Sequence, residues 1–362
     1  MPITRRSLLE LLSSSTFFLT VAPGGVLAAT LSADAVALEF PQGVASGDPQ
    51  PDAIMLWTRA VPADGSDTPV RLMLQLSSDS NFSTLLLQEE VATSPASDYT
   101  VRAYVDGLAP DTQYYYRFVG AAQSVSRTGR TRTAPAAGQA RKVNLAFVSC
   151  QSYEQAYYGS WARMLADDRA AAEGDRIQFV LHLGDFIYEY SWYQRIDGGP
   201  PSRTVPPFPD GIDTPEYRYA VSLADYRFLY KTYLSDPHLQ EARANWPFIC
   251  TWDDHEFSND CFQSFTTYDG EGVLDAQRKL CANQAWFEFI PAVLDELKEQ
   301  PAYNFQPQVL DADKDLRNQA AVDSLRIYRK LSWGQYLDIV LTDSRSYRSA
   351  PCLPEGFAAS LG

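Results

Sequence analysis

Three apolar runs in this chain each end in a turn loaded with polar donors, and that pattern restricts the fold more than any other feature. Val143 to Val148 leads into Cys150, and Phe179 to Leu183 leads into Gly184-Asp185. Pro247 to Cys250 leads into Thr251-Trp252-Asp253-Asp254-His255-Glu256. Short apolar runs closed by turn residues read as buried strands. Helical patterns sit between and after them, around 155–172, 216–234 and 274–290, with a long Pro/Gly loop over 196–215. Alternating strands and helices predict an α/β domain. Open α/β sheets bind ligands beyond the carboxyl ends of their strands, so all three donor sets are expected at one sheet edge. Residues 300–321 are polar and read as irregular. Leu325 to Leu331 and Tyr336 to Thr342 read as two further strands, turning at Trp333-Gly334.

The chain before residue 138 has a different texture. Ile54 to Thr58, Val70 to Leu76, Thr100 to Val105 and Tyr114 to Val119 are short strand patterns separated by Pro, Gly, Asp and Ser. Leu108-Ala-Pro110-Asp-Thr112-Gln-Tyr114 is similar to the tyrosine corner of immunoglobulin and fibronectin-type sandwiches, although a Tyr-rich edge strand would look alike. Thr133 to Gly138 reads as a linker. At 362 residues the chain exceeds one ordinary core. The expected organisation is a leader at 1–28, a β-sandwich at 38–137 and an α/β domain at 141–362.

The leader is expected to stand outside the fold. Thr4-Arg5-Arg6-Ser7-Leu8-Leu9 is a paired-arginine start of twin-arginine type, with Leu8 and Glu10 departing from the usual Phe and Lys. An apolar stretch ending near Val26-Leu27-Ala28 follows. Ser13 to Ser15, Pro23 and Gly24-Gly25 interrupt it short of the ~20 residues a membrane span needs. Export to the periplasm, cell envelope or medium is therefore expected, with no span left after cleavage. Loss of Arg5, Arg6 and Glu10 would take the net charge from −15 to −16. That charge argues against non-specific binding to nucleic acid or an anionic membrane. Five cysteines in an exported chain invite disulfides. With Cys150 as a ligand, Cys250, Cys261, Cys281 and Cys352 admit three full pairings.

The strand-end donors suit a cation better than any alternative. Asp185 follows a glycine that lets the backbone turn, and one carboxylate can bridge two ions; a turn Asp is the bland alternative. Tyr188 can reach the same point as a hard phenolate, or simply pack as an amphipathic ring. Cys150 can donate a thiolate, or be a buried free thiol or one half of a disulfide. Asp253-Asp254-His255-Glu256 is too dense for an ordinary strand end. His255, one of three histidines, can protonate a leaving alkoxide. Asn259 offers another hard oxygen, suited to calcium. His182 is expected as a satisfied core histidine, and His238 as loop surface. With so few histidines, an imidazole-based zinc site is hard to assemble. Oxygen donors with one thiolate and one phenolate suit ferric iron beside calcium or another divalent ion. Two such cations would clamp a phosphoryl group and acidify a bound water.

Taken together the motifs resemble the alkaline phosphatase D (PhoD-like) family over nearly the whole chain beyond the leader. The segments that carry the resemblance are PQGVASGDPQPDAIMLWTR at 41–59, FVSCQSYEQAYYGSW, VLHLGDFIYEY, DYRFLYKTYLSDPHLQ, TWDDHEFSND and LTDSRSYRS, in the family's order. The resemblance implies a metallophosphatase fold, two packed sheets flanked by helices, behind a fibronectin-like domain. It implies a monoesterase or diesterase acting on phosphate esters with iron and calcium, and a monomer is expected. It assigns Cys150, Asp185 and Tyr188 to the iron, with Asp185 reaching the second metal. Asp254 and His255 match a metal ligand and the catalytic histidine, and Asn259 is a further ligand position. Arg345 would steady the phosphate or the metal loop. The family carries a later Gly-Asp-x-His segment that completes the metal shell, whereas this sequence ends at Ser360-Leu361-Gly362. Weak metal binding by the 362-residue chain is therefore expected. Two other readings stay open: a phospholipase D-like diesterase acting on lipid or wall polymer, and a non-catalytic surface-binding protein.

Overall fold

The computed structural model describes residues 16–21, 36–155, 157–194, 199, 201–267, 272–294, 305, 310 and 312–352. The expectations for residues 1–15, 22–28 and 353–362 lie outside these residues.

The first half forms β1 (Thr16–Thr20), β2 (Leu38–Glu39), β3 (Val44–Gly47), β4 (Ile54–Arg59), β5 (Val61–Pro62), β6 (Val70–Ser77), β7 (Leu85–Thr93), β8 (Thr100–Asp106), β9 (Gln113–Val119) and β10 (Gly129–Arg132). β2 and β5 make a small antiparallel ladder. The sheet β10-β9-β6-β7 packs on β8-β4-β3, and Val44, Ile54, Leu56, Leu72, Leu74, Val101, Ala103 and Phe118 fill the space between. Tyr114 closes the tyrosine corner: its hydroxyl accepts from the Ala109 N–H at 2.9 Å.

The second half adds β11 (Leu145–Val148), β12 (Phe179–His182), β13 (Tyr190–Trp192), β14 (Ile212–Asp213), β15 (Tyr217–Tyr219), β16 (Pro247–Cys250), β17 (Phe265–Thr266), β18 (Val273–Leu274), β19 (Arg329–Trp333) and β20 (Leu337–Leu341). Its helices are α1 (Gly159–Ala170), α2 (Leu223–Tyr233), α3 (Pro237–Asn245), α4 (Ala276–Phe289) and α5 (Lys314–Asp323). One seven-stranded sheet, ordered β1-β8-β4-β3-β16-β12-β11, runs through both halves. Its junction is parallel, with Pro247 opposite Ser46 and Phe248 opposite Gly47.

Side-chain alternation explains how one sheet serves two cores. Val44, Ile54 and Leu56 face the sandwich, while Ala45, Met55 and Trp57 face the helices. Strands buried on both sides need near-continuous apolar sequence, which Ile54 to Trp57 supplies. Farther along, Val180, Phe248 and Cys250 meet the helical core. Phe179 and Ile249 point the other way, onto Leu331, Trp333, Ile339 and Leu341 of the β19–β20 hairpin. The second layer of the expected sandwich is this hairpin. Arg102, from β8, locks the layers together: its guanidinium donates to the Phe287, Ile290 and Ala292 carbonyls at the end of α4. Phe287 O lies in the last turn of α4, where carbonyls lack a helical partner, and Ile290 O also accepts the Ala292 N–H at 2.8 Å.

Five expectations need correction. Thr16–Thr20, inside the stretch read as standing apart, pairs in parallel with Arg102–Asp106, because β8 offers a free edge to an apolar strand. His238 lies in α3, not a loop: Asp236 caps the helix, accepting from the His238 and Leu239 N–H groups, and Pro237 opens the first turn. Residues 314–323 are helical, capped by Asp313. The helix expected from 216 starts at Leu223, where Ser222 and Asp225 form a reciprocal capping box, and Tyr217–Tyr219 is a strand. All five cysteines are free thiols.

Candidate metal centre

Gly184 is the geometric keystone of the strand ends. Its φ is +109°, and a β-carbon there would lie 2.4 Å from the Asp253 nitrogen and 2.8 Å from the Trp252 carbonyl carbon. Only glycine lets the turn after β12 press against the turn after β16. Asp185, at φ 54°, and Cys150, at φ 56°, also occupy the left-handed region. Strained backbone of this kind concentrates at functional sites. Backbone bonds join the first two turns, from Cys150 N to Gly184 O at 3.1 Å and from Gln151 N to Asp185 O at 3.1 Å.

Glu256 clamps the other pair of turns. Its buried carboxylate accepts from the N–H groups of Asp185 (3.1 Å), Phe186 (2.7 Å) and Asp253 (2.9 Å). Burial, aided by the nearby Asp185 charge, pushes its pKa up to about 8. Three backbone donors occupy this carboxylate, so it holds the frame of the site.

The structure brings the predicted donors together. One ligand atom each from Asp185, Asp254 and His255 lie within 4.8 Å of one another, and all three residues are buried. The Tyr188 hydroxyl stands 3.4 Å from Asp185 Oδ2, and its ring lies 4.1 Å from the His255 ring. Cys150 joins the Asp185 turn through its backbone, and burial raises its thiol pKa, with the Asp185 carboxylate adding to the rise. Burial raises the pKa of Asp185, Tyr188 and Cys150 alike. Arg345 closes one side, donating from Nε to Asp253 Oδ1 at 2.6 Å and lying 3.3 Å from Asp254 Oδ1. Asn259 stands apart from the cluster: its side-chain amide donates to Asp260 and its backbone N–H to Glu189.

Glu189 is the residue that sequence reasoning missed. It is fully buried, accepts the Asn259 N–H at 2.6 Å and holds His255 Nδ1 at 2.8 Å. Its position directly after Tyr188 was the available signal. Burial alone would depress the His255 pKa, but Glu189, Asp254 and Asp185 overcome it and lift it to about 9. With Nδ1 engaged, Nε2 is the nitrogen left for chemistry. His182 behaves differently from expectation. It is buried against Phe186, and neither ring nitrogen has a hydrogen-bond partner among the described residues. Burial pulls its pKa down to about 3, which keeps the ring neutral.

These residues fit a bound cation. Carboxylates, a phenol and a thiol converge beside Arg345 and His255, and Asp185 Oδ1 is buried without a hydrogen-bond partner among the described residues. Buried anionic groups are stable when paired or bound to metal.

Fold and site define an α/β protein fused to a β-sandwich, with a carboxylate–histidine cluster at its strand ends. The PhoD-like phosphatase family matches residues 145–359, and the N-terminal domain of that family matches 26–135; the chain belongs to the PhoD-like phosphatases. It is 29% identical over 315 residues to alkaline phosphatase D of Bacillus subtilis (strain 168), covering 85% of this chain and 47% of that protein. It is also similar to the solved structure of PhoD, with a TM-score of 0.69 and 29% identity over 90% of this chain and 55% of the other. The chain thus spans about half the length of these relatives.

Proposed function

We propose that the chain carries the core of a metal-dependent phosphoric ester hydrolase. The convergence of Asp185, Asp254 and His255 within 4.8 Å supports this reading above all else. Cys150, Tyr188 and Asp185 would hold ferric iron, because a thiolate and a phenolate suit a trivalent ion. Asp185 and Asp254 would hold calcium or another oxygen-seeking ion, with Asn259 a further candidate after a rotation of its side chain away from Asp260. Bound cations would supply Lewis acidity at phosphorus and an activated water. Among the chain's own groups, Glu189 fixes the His255 ring through Nδ1. Nε2 can then pass a proton to the departing alcohol oxygen. Arg345 holds Asp253 and Asp254 in place, and it would steady a bound phosphate or the loop that carries these ligands. Residues 38–137 act as a support fused through the common sheet to the catalytic part, 141–362. The paired arginines at 5 and 6 favour export, with a phosphate ester outside the cytoplasm as substrate.

Metal analysis by mass spectrometry and p-nitrophenyl phosphate hydrolysis test the reading together. Asp185→Asn should lose bound metal and hydrolysis, and Cys150→Ser should lose or exchange iron. Full metal content and turnover in Asp185→Asn would overturn the assignment.

A further inference from the structure

The far edge of the sheet holds a second charged feature. A cleft of about 740 Å³ opens where the sandwich meets the α/β part, lined by Arg130, Arg132, Arg141, Lys142 and Arg176 with Glu173 as the single acid. Pro247, the first residue of β16, and Gln178, just before β12, also border it. It therefore lies at the amino ends of the strands whose carboxyl ends carry the metal centre. Five cations around one opening are unusual in a chain of net charge −15.

Part of this charge is balanced by acids outside the lining. Asp111 pairs with Arg132 at 2.6 Å and with Arg141, Asp168 lies 3.6 Å from Arg130, and Asp175 pairs with Lys142. Asp111 and Asp168 are largely buried and orient the guanidinium groups, whereas Asp175 is exposed beside Lys142; against these three acids and Glu173 the five cations leave one net positive charge. Arg176 differs. No acid lies within ion-pair distance of it among the described residues, although it lines the opening. The neighbouring positive charges of Arg130 and Arg176 repel one another. A guanidinium without an acid partner beside a second guanidinium is what an anion would relieve, through charge-assisted bonds.

We propose that this cleft is a second anion site, separate from the metal centre, that takes a ligand carrying several linked phosphate groups. Its volume is in the range of ~300–1,000 Å³ typical of sites for drug-sized ligands, much more than one phosphate needs. Cations contributed by β10, the 141–142 segment and the 173–178 loop are spread around the opening, which favours several linked charges over one. The junction of two structural units is also a favoured position for a site.

Isothermal titration of the full chain, prepared without added metal, with tripolyphosphate and with orthophosphate tests the proposal. The expected result is one tripolyphosphate site that weakens as salt rises and binds orthophosphate at least about tenfold less tightly. Arg176→Gln should weaken tripolyphosphate about tenfold or more, and Lys142→Gln should weaken it to a smaller degree. Both substitutions are safe for the fold, because neither leaves a buried acid unpaired; circular dichroism checks this. Arg345→Gln, at the opposite edge, should leave the affinity unchanged. The proposal fails if tripolyphosphate does not bind, if Arg176→Gln binds it as well as the parent, if orthophosphate binds equally well, or if Arg345→Gln removes the binding.

Discussion

Replacing Gly184 by alanine tests the idea that the site depends on two turns in direct backbone contact. The new β-carbon would lie 2.4 Å from the Asp253 nitrogen, 2.6 Å from its β-carbon and 2.8 Å from the Trp252 carbonyl carbon. Two of these atoms are backbone, so no side-chain rotation relieves the clash. The φ of +109° adds its own penalty. Backbone strain of this kind costs ~1–3 kcal/mol. Overpacking a rigid contact costs ~1–3 kcal/mol more. Together they give roughly 2–6 kcal/mol, about 4 at the centre of the range. Gly65 is the matched control: its φ is +71°, but nothing lies within 4 Å of a β-carbon there. Alanine at Gly65 should therefore cost only the left-handed penalty, ~1–2 kcal/mol. Urea unfolding followed by circular dichroism would compare the two variants. Gly184→Ala should be less stable than Gly65→Ala by about 2 kcal/mol or more, and should bind cations more weakly because the Glu256 clamp is forced open. Equal stabilities within about 1 kcal/mol would refute the close-contact argument.

The metal-free protein should lose stability as pH rises from about 4.5 to about 9. Glu256 contributes stability that is complete below its unfolded pKa of 4.5 and lost through about 8, and His255 contributes stability complete below 6.5 and lost through about 9. Denaturant titrations at pH 5, 7 and 9 would show the trend, and rising stability across that range would contradict it. Native thiol labelling should modify the exposed Cys150 and Cys352 and spare the buried Cys250 and Cys261, whose thiols burial pushes up to about 12. Peptide mapping after a brief maleimide pulse reads this out, and metal loading should protect Cys150 selectively. Arg329→Met should destabilise by ~3 kcal/mol or more, since it strands the buried Asp48 carboxylate that Arg329 holds at 2.6 and 2.8 Å. A loss under 1 kcal/mol by urea unfolding would show that Asp48 finds other partners.

Much of the fold was legible because its signals are local. Short apolar strand patterns marked β4, β6, β8 and β9, and turn residues set their limits. The strand ends were legible too, because Gly184-Asp185 and Asp253 to Glu256 break apolar runs abruptly. Short elements set by a cap were lost: α3 hangs on Asp236-Pro237 and α5 on Asp313, single side chains that look like loop residues in sequence. Glu189 was hidden for another reason. Its role depends on His255 and Asn259, 66 and 70 residues away.

By itself the sequence determined which chemical groups are available and which strand each one follows. Backbone periodicity and turn chemistry act over a few residues, so they can be read without a fold. Only the tertiary structure decided that the β-sandwich and the α/β part share one sheet, because the pairing of Ser46-Gly47 with Pro247-Phe248 joins segments 201 residues apart. It alone decided that Gly184 lets two turns touch, that Glu256 is a clamp and Glu189 the anchor of His255, and that five cations from three segments face one cleft. Those outcomes depend on packing and on distances across the chain.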